Sequence, residues 1–398
     1  MENDPSAPFP WQRNLLVVFV GSLTTVMAMS LVLPFLPLYL GELGVRGRDV
    51  DLWSGVAYGA TLFSAGLVAP LWGFLGDRFG RKPMLVRASL GMAVAMSLMG
   101  LAQDPWQLVG LRLLTGLLGG YSSGSMILVA TQTPKERSGW ALGVLSSGIM
   151  AGNLLGPLAG GLLPPLIGIR LTFLAAGAVI FVSFLGTLFL LKGEGGRRRP
   201  VREAGELRPP VPNKPLLAVM LVTGLLLTAA NLSVEPILAV YVASLGTAAG
   251  QVTTVAGLAF SASALGSLLS AAALGRLADR VGPRNVMVGC LAAAALLMVP
   301  QALATAGWQL LVWRFLLGCA LGGLLPCLAS VLRHAVPSSM AGRMLGLSTS
   351  AQYAGQVIGP VGGGFIAGFG GVPLVLAITG AVLLATAGLN VAVSRARS

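Results

Sequence analysis

The chain has 398 residues, of which 55% are hydrophobic and 10% charged, with a mean hydropathy of +0.83 and a formal net charge of +13. So little polar surface cannot coat a water-soluble particle of this size, which excludes an ordinary soluble enzyme or binding domain and makes lipid the main solvent. The basic residues gather in short loops between apolar runs, a pattern of membrane topology that excludes a nucleic-acid surface.

Apolar runs long enough to cross a bilayer core of about 30 Å, at about 1.5 Å per residue, fall near 14–40, 51–75, 83–102, 106–130, 138–165 and 168–191. They return near 215–243, 250–275, 284–306, 308–334, 340–368 and 371–393. The first run outlasts a signal-peptide core and keeps Pro34 and Pro37 at its far end, so it is expected to stay as the first span. The pattern predicts an all-α membrane protein of twelve transmembrane helices in two pseudo-symmetric six-helix bundles, over 1–191 and 215–398. Between them, 192–214 is a basic linker with Arg197–Arg199, Arg202, Arg208 and four prolines, and no core of its own. Cys290, Cys319 and Cys327 are odd in number and lie inside apolar runs, where they read as small packing residues.

The two halves are copies. Gly73–Lys82 (GFLGDRFGRK) returns as Gly275–Arg284 (GRLADRVGPR), a shift of 275 − 73 = 202 residues. The same shift maps Pro34 to Pro236, Tyr39 to Tyr241, Trp106 to Trp308 and Arg112 to Arg314. Later the shift is 203, relating Gly156-Pro157 to Gly359-Pro360. A parallel repeat of this length in so apolar a chain is the transporter pattern of two like halves facing each other across a membrane. With the N-terminus inside, Lys and Arg collect on one face, leaving Arg46, Arg48 and Arg170 on the other. Both termini, the linker and both copies of the repeated loop are then expected on the cytoplasmic side.

The Gly73–Lys82 loop suits a tight turn between packed helix ends, with glycines for the bend and Asp77 able to pair or cap. Its pattern resembles the signature Gly-x-Leu-Ala-Asp-Arg-x-Gly-Arg-Lys of the major facilitator superfamily, departing at Gly76 in the first copy and at Pro283-Arg284 in the second. The resemblance implies the major facilitator fold. It also implies a conformational latch, carried by Gly73, Asp77, Arg78, Gly80, Arg81, Asp279 and Arg280, without substrate contact. Gly148, Gly152, Gly156 and Gly160 share one face of the fifth helix and permit close backbone approach in lipid. Written as Gly152-x-x-x-Gly156-Pro157-x-x-Gly160, they resemble the family's antiporter motif, which implies exchange.

In the fourth helix, Leu111-Arg112-Leu113-Leu114-Thr115-Gly116 resembles the family's Arg-bearing motif, which implies a part for Arg112 in proton transfer. A guanidinium at that depth costs about 2.5 to 3.5 kcal/mol on insertion scales and should face the bundle interior. Of the thirteen acidic residues, Glu235 alone lies mid-span. It stands four residues after Asn231 and immediately before Pro236, which loosens the helix. Low dielectric penalises the charged carboxylate, whereas a nearby Arg or a cationic cargo favours it, and alternation of the two makes a proton-coupled switch. The position resembles the seventh-helix carboxylate of quinolone-type efflux pumps.

Other interior polar groups are sparse, and Met29, Phe35, Tyr39, Met126, Asn153, Asn231, Tyr353 and Gln356 are the candidate cargo contacts. Adaptable Met and aromatic surfaces with one acid suit bulky amphipathic or cationic compounds better than sugars. Trp11-Gln12-Arg13-Asn14-Leu15, Pro34–Tyr39 and Ser138–Gly143 are similar to the MdtG-type subfamily of bacterial drug:proton antiporters, a pattern to which Glu235 does not belong. That resemblance implies proton-coupled export of small-molecule drugs across the bacterial inner membrane by a monomer, driven by the proton gradient without a cofactor. The alternative is a symporter importing a metabolite or sugar, whose family signatures are not evident at the half ends. Catalysis would need clustered acids, His or metal ligands in the bundle, where the chain has Glu235 and, near a helix end, His334, so neither an enzyme nor a metal site is expected.

Overall fold

The computed structural model describes residues 11–193 and 214–395. The linker arginines Arg197–Arg199, Arg202 and Arg208, and the terminal Arg397, lie outside these residues. The first half comprises α1 (Trp11–Leu31), α2 (Leu36–Glu42), α3 (Asp49–Phe79), α4 (Arg81–Met99), α5 (Pro105–Leu118), α6 (Tyr121–Gln132), α7 (Ser138–Ile167) and α8 (Ile169–Leu190). The second comprises α9 (Lys214–Ser233), α10 (Leu238–Ser244), α11 (Val252–Val281), α12 (Pro283–Ala302), α13 (Gly307–Leu321), α14 (Leu324–His334) and α15 (Ser338–Arg395).

Twelve spans result among the described residues. The first, fourth, seventh and tenth are each broken into two helices, and α15 is two spans meeting at Gly371. The breaks follow the sequence. Pro34 and Pro37 interrupt the first span, Pro236 the seventh, and Gly119-Gly120 the fourth. Ten helical stretches are apolar enough to cross a membrane by length and composition alone, one of them the double α15. α4, which begins Arg81-Lys82 and carries Arg87, is the span outside that set, because its charges and serines dilute it.

The repeat survives in the details. Gly80 and Gly282 each join two helices as a single residue, both at φ 92°, and Gly168 and Gly371 do the same at φ 84° and 73°. A residue with a Cβ is strained there, so glycine sets these corners. Tyr39 donates its hydroxyl to Met99 O at 2.6 Å, and Tyr241 donates to the equivalent Gln301 O at 2.6 Å. Trp106 and Trp308, 73% and 66% exposed, mark the same edge of the molecule in both halves, as interfacial tryptophans do.

Within each half the core is apolar side chains and glycine-mediated helix contact. α7 lies on α1 through the predicted glycine face: a Cβ at Gly152 would stand 2.8 Å from Leu23 O, and at Gly156 or Gly160 it would strike the backbone oxygens of Met27 or Leu31. Gly355, Gly359 and Gly363 of α15 meet Leu225, Ala229 and Ser233 of α9 in the same manner. The halves touch along two seams, α3 against α15 and α7 against α11. Gly55 abuts Pro360 O and Gly364, while Gly161 abuts Thr253 O and Gly257. Both seams lie toward the face opposite the Gly73–Lys82 and Gly275–Arg284 loops. We call the loop-bearing end the basic face and the other the far face.

Candidate functional site

A cavity of about 1060 Å³ lies between the halves. Its lining ends toward the far face at Leu33, Tyr58, Pro157, Glu235 and Phe260, where the seams begin, and reaches Gly73 and Arg81 at the basic face. The molecule is therefore closed on the far side and widens toward the basic side. The broken seventh span matters here. Pro236 turns residues Glu235–Ile237 into a single 3-10 turn between α9 and α10, and this turn brings the Glu235 carboxylate to the closed end of the cavity.

Glu235 is partly buried and accepts a hydrogen bond from the Tyr58 hydroxyl at 3.1 Å. Tyr58 belongs to α3 of the other half, 177 residues away in sequence. Arg314, on α13, is within electrostatic reach of Glu235 and of Tyr241, and Arg112, on α5, is within reach of Tyr58. The carboxylate thus feels Arg314 from its own half, whereas Arg112 acts on Tyr58. Arg112 is fully buried, yet none of its guanidinium nitrogens has a hydrogen-bond partner among the described residues. An unpaired buried charge is costly, so a cavity-lining Arg112 is a ready contact for a polar group entering the cavity.

Of the candidate cargo contacts, Met29, Asn153, Asn231 and Tyr353 line the cavity. Phe35, Tyr39, Met126 and Gln356 do not. Phe35 is fully buried edge-on against Phe173, with ring centroids 5.2 Å apart, and the Tyr39 hydroxyl is taken by Met99 O and Ala102 O. Met126 packs against the apolar cluster around Leu128 and Leu145. Gln356 sits one turn beyond Tyr353 toward the seam, where α15 is pressed on α9 and α3.

In the repeated loop, Asp77 pairs with Arg81 one turn on, while the Arg78 guanidinium lies 5.4 Å from the Phe79 ring centroid. Asp279 and Arg280 are exposed at the equivalent corner. The loop residues expected to form a latch therefore stand toward the open end of the cavity, whose lining includes Gly73 and Arg81. The Gly152, Gly156 and Gly160 face is buried against α1, whereas Pro157 reaches the cavity.

Sequence reasoning missed Tyr58. Its signal was a polar stripe on α3, Ser54, Tyr58, Thr61 and Ser64, at helical spacing. It also missed Asp51, whose buried carboxyl has one oxygen without a partner among the described residues, beside the α3–α15 seam.

Two pseudo-symmetric six-helix bundles closed at one face around a largely apolar interfacial cavity that holds a few polar groups define a secondary transporter. The chain belongs to the Major Facilitator Superfamily, whose family model matches residues 18–253 and 225–396. It is a multi-pass membrane transporter of that family. It is 40% identical over 390 residues to the multidrug resistance protein MdtG of Dickeya zeae, covering 96% of this chain and 95% of the relative. To the protein of the same name from Citrobacter koseri it is 41% identical over 380 residues, 95% of this chain and 94% of the relative. In fold it matches the crystal structure of a bacterial homologue of the human lysosomal transporter Spinster, in an inward-facing and occupied conformation, with a TM-score of 0.79 and 14% identity over 98% of each chain.

Proposed function

We propose that this protein exports amphipathic or cationic drugs across the bacterial inner membrane in exchange for protons, by alternating access. The observation that carries the reading is the interfacial cavity of about 1060 Å³ with one carboxylate, Glu235, at its closed end. The near full-length likeness to proteins named for multidrug resistance supports it. The halves 1–191 and 215–398 rock against each other about the cavity, joined by 192–214. The positive-inside pattern makes the basic face cytoplasmic, so both termini lie inside and the described state takes up cargo from the cytoplasm. The protein works as a monomer, draws on the proton gradient and needs no cofactor.

Glu235 carries the exchanged proton, assisted by Arg112. An exported cation sits against ionised Glu235, and a drug with an anionic or neutral polar end turns it toward Arg112, with Met29, Asn153, Asn231 and Tyr353 around the body of the molecule. The Asp77–Arg81 corner and its second copy act as the conformational latch, and the Gly152–Gly160 face lets α7 slide on α1. The test is uptake of ethidium into everted vesicles under an imposed pH gradient. Gradient-dependent uptake above that of vesicles lacking the protein is expected. Uptake equal to that control overturns drug export.

A further inference from the structure

A carrier that exchanges two ligands must not change state while it holds neither, because an empty return dissipates the gradient. The hydrogen bonds that cross between the halves divide into two kinds. Thr253 and Thr254 donate to Gly161 O at 3.1 and 3.0 Å, and Ser261 donates to Leu154 O at 2.8 Å, all with acceptors that cannot titrate. Tyr58 to Glu235 is the cross-half bond with a titratable acceptor among the described residues. Its mirror position is apolar. The 202-residue shift carries Tyr58 to Phe260 and Leu33 to Glu235, and Leu33 and Phe260 belong to one apolar cluster and line the same cavity.

We propose that the Tyr58 hydroxyl is a positioning residue that locks the empty, deprotonated carrier closed at its far face. This inference rests on the transport reading above and deepens it. A hydroxyl bonds an ionised carboxylate about twice as strongly as a neutral acceptor. While Glu235 is ionised and unoccupied, the bond ties α3 to the turn between α9 and α10 and holds the far seams shut. A proton on Glu235 weakens the bond. A cargo group that takes the carboxylate displaces the tyrosine. Either event releases the halves, so only a loaded carrier changes state.

The other groups around Glu235 do not substitute for Tyr58. Arg314 from α13 and Tyr241 from α10 belong to Glu235's own half and cannot bridge. Arg112 from α5 acts on Tyr58. From α2, Tyr39 is bonded to Met99 O and Glu42 is exposed, and from α15 the cavity-lining Tyr353 stands farther toward the basic side.

The test needs no cargo. Spin labels are placed at the equivalent, exposed positions Arg46→Cys and Ala248→Cys on the far face, one per half, in a background without Cys290, Cys319 and Cys327. Inter-label distances are then measured in lipid nanodiscs between pH 8 and pH 5. The wild-type chain is expected to show a short distance at pH 8 and a growing long-distance population on acidification. Tyr58→Phe, a change the fold already accepts at Phe260, is expected to show the long population at both ends of the range. Glu235→Gln should do likewise, and the double variant should go no further than either alone. A Tyr58→Phe chain that responds to pH as the wild type does, or a wild-type chain whose distances ignore pH, overturns the lock. Absent ethidium export with the pH-linked distance change retained leaves the lock standing and removes the drug reading alone.

Discussion

The two halves share a scaffold and differ in what they place on it. Both break a span at a proline, turn a corner on a lone glycine, bond a tyrosine to an equivalent carbonyl and bury an arginine in the fourth span of the half. At the break, however, the first half puts Leu33 and the second Glu235, and the facing residues are Phe260 and Tyr58. Duplication therefore supplies the scaffold twice, whereas the carboxylate and its tyrosine partner sit in one of two equivalent contacts. A protonatable group on both sides would set two carboxylates in one cavity; the chain has one there among the described residues, Glu235.

The strongest way to break this comparison is to attack what the halves share. Gly160→Leu and Gly363→Leu each drive a side chain into the facing backbone of α1 or α9. Overpacking costs ~1 to 3 kcal/mol where neighbours can yield, and here backbone cannot, so both variants should lose folded protein in the membrane to a similar degree, measured by detergent-solubilised size exclusion. A folded Gly363→Leu chain beside an unfolded Gly160→Leu chain would show that the halves are packed on different principles.

Next comes what they do not share. Glu235→Gln should fold normally and lose gradient-driven ethidium uptake, while Leu33→Met at the mirror position should keep it. The two arginines sharpen the point. Arg112→Met removes unpaired donors from the cavity, and losing a bond to a charged group should weaken transport of an anionic amphipath by about tenfold in half-saturating concentration, with a smaller loss of gradient-driven ethidium uptake because Arg112 also assists the proton exchange. Arg314→Met, which strips Glu235 of its own neighbour, should impair ethidium uptake as well. The smallest effect is expected from Tyr39→Phe and Tyr241→Phe, about 1 kcal/mol each for one lost buried hydrogen bond, equal in the two halves by thermal unfolding.

The spans, the break at Pro236 and the repeat were legible because each is local: an apolar run, a proline, a fixed shift, whereas the breaks of the fourth and tenth spans were read as continuous helix. Glu235 was legible because a carboxylate in mid-membrane is rare enough to announce itself. Its partner was not, since the bond to Tyr58 joins two helices whose meeting depends on how the halves are docked, which periodicity does not encode. Phe35 and Tyr39 misled for a related reason. They stand beside a helix break as Glu235 does, but both side chains point into the first half, where Phe173 and Met99 occupy them. Asp51 was hidden by its position near a helix end, where an acid reads as a solvated cap.

The glycine seams at the far face have a thermodynamic corollary. Gly55 against Gly364 and Gly161 against Gly257 meet main chain to main chain. Ordering a long side chain at a contact costs up to about 2 kcal/mol of rotamer entropy, and glycine has none to lose. At these four positions a gate can part and re-form on every cycle without freezing or repacking a side chain, leaving the small energies of a proton or a cargo molecule large enough to decide which way it stands.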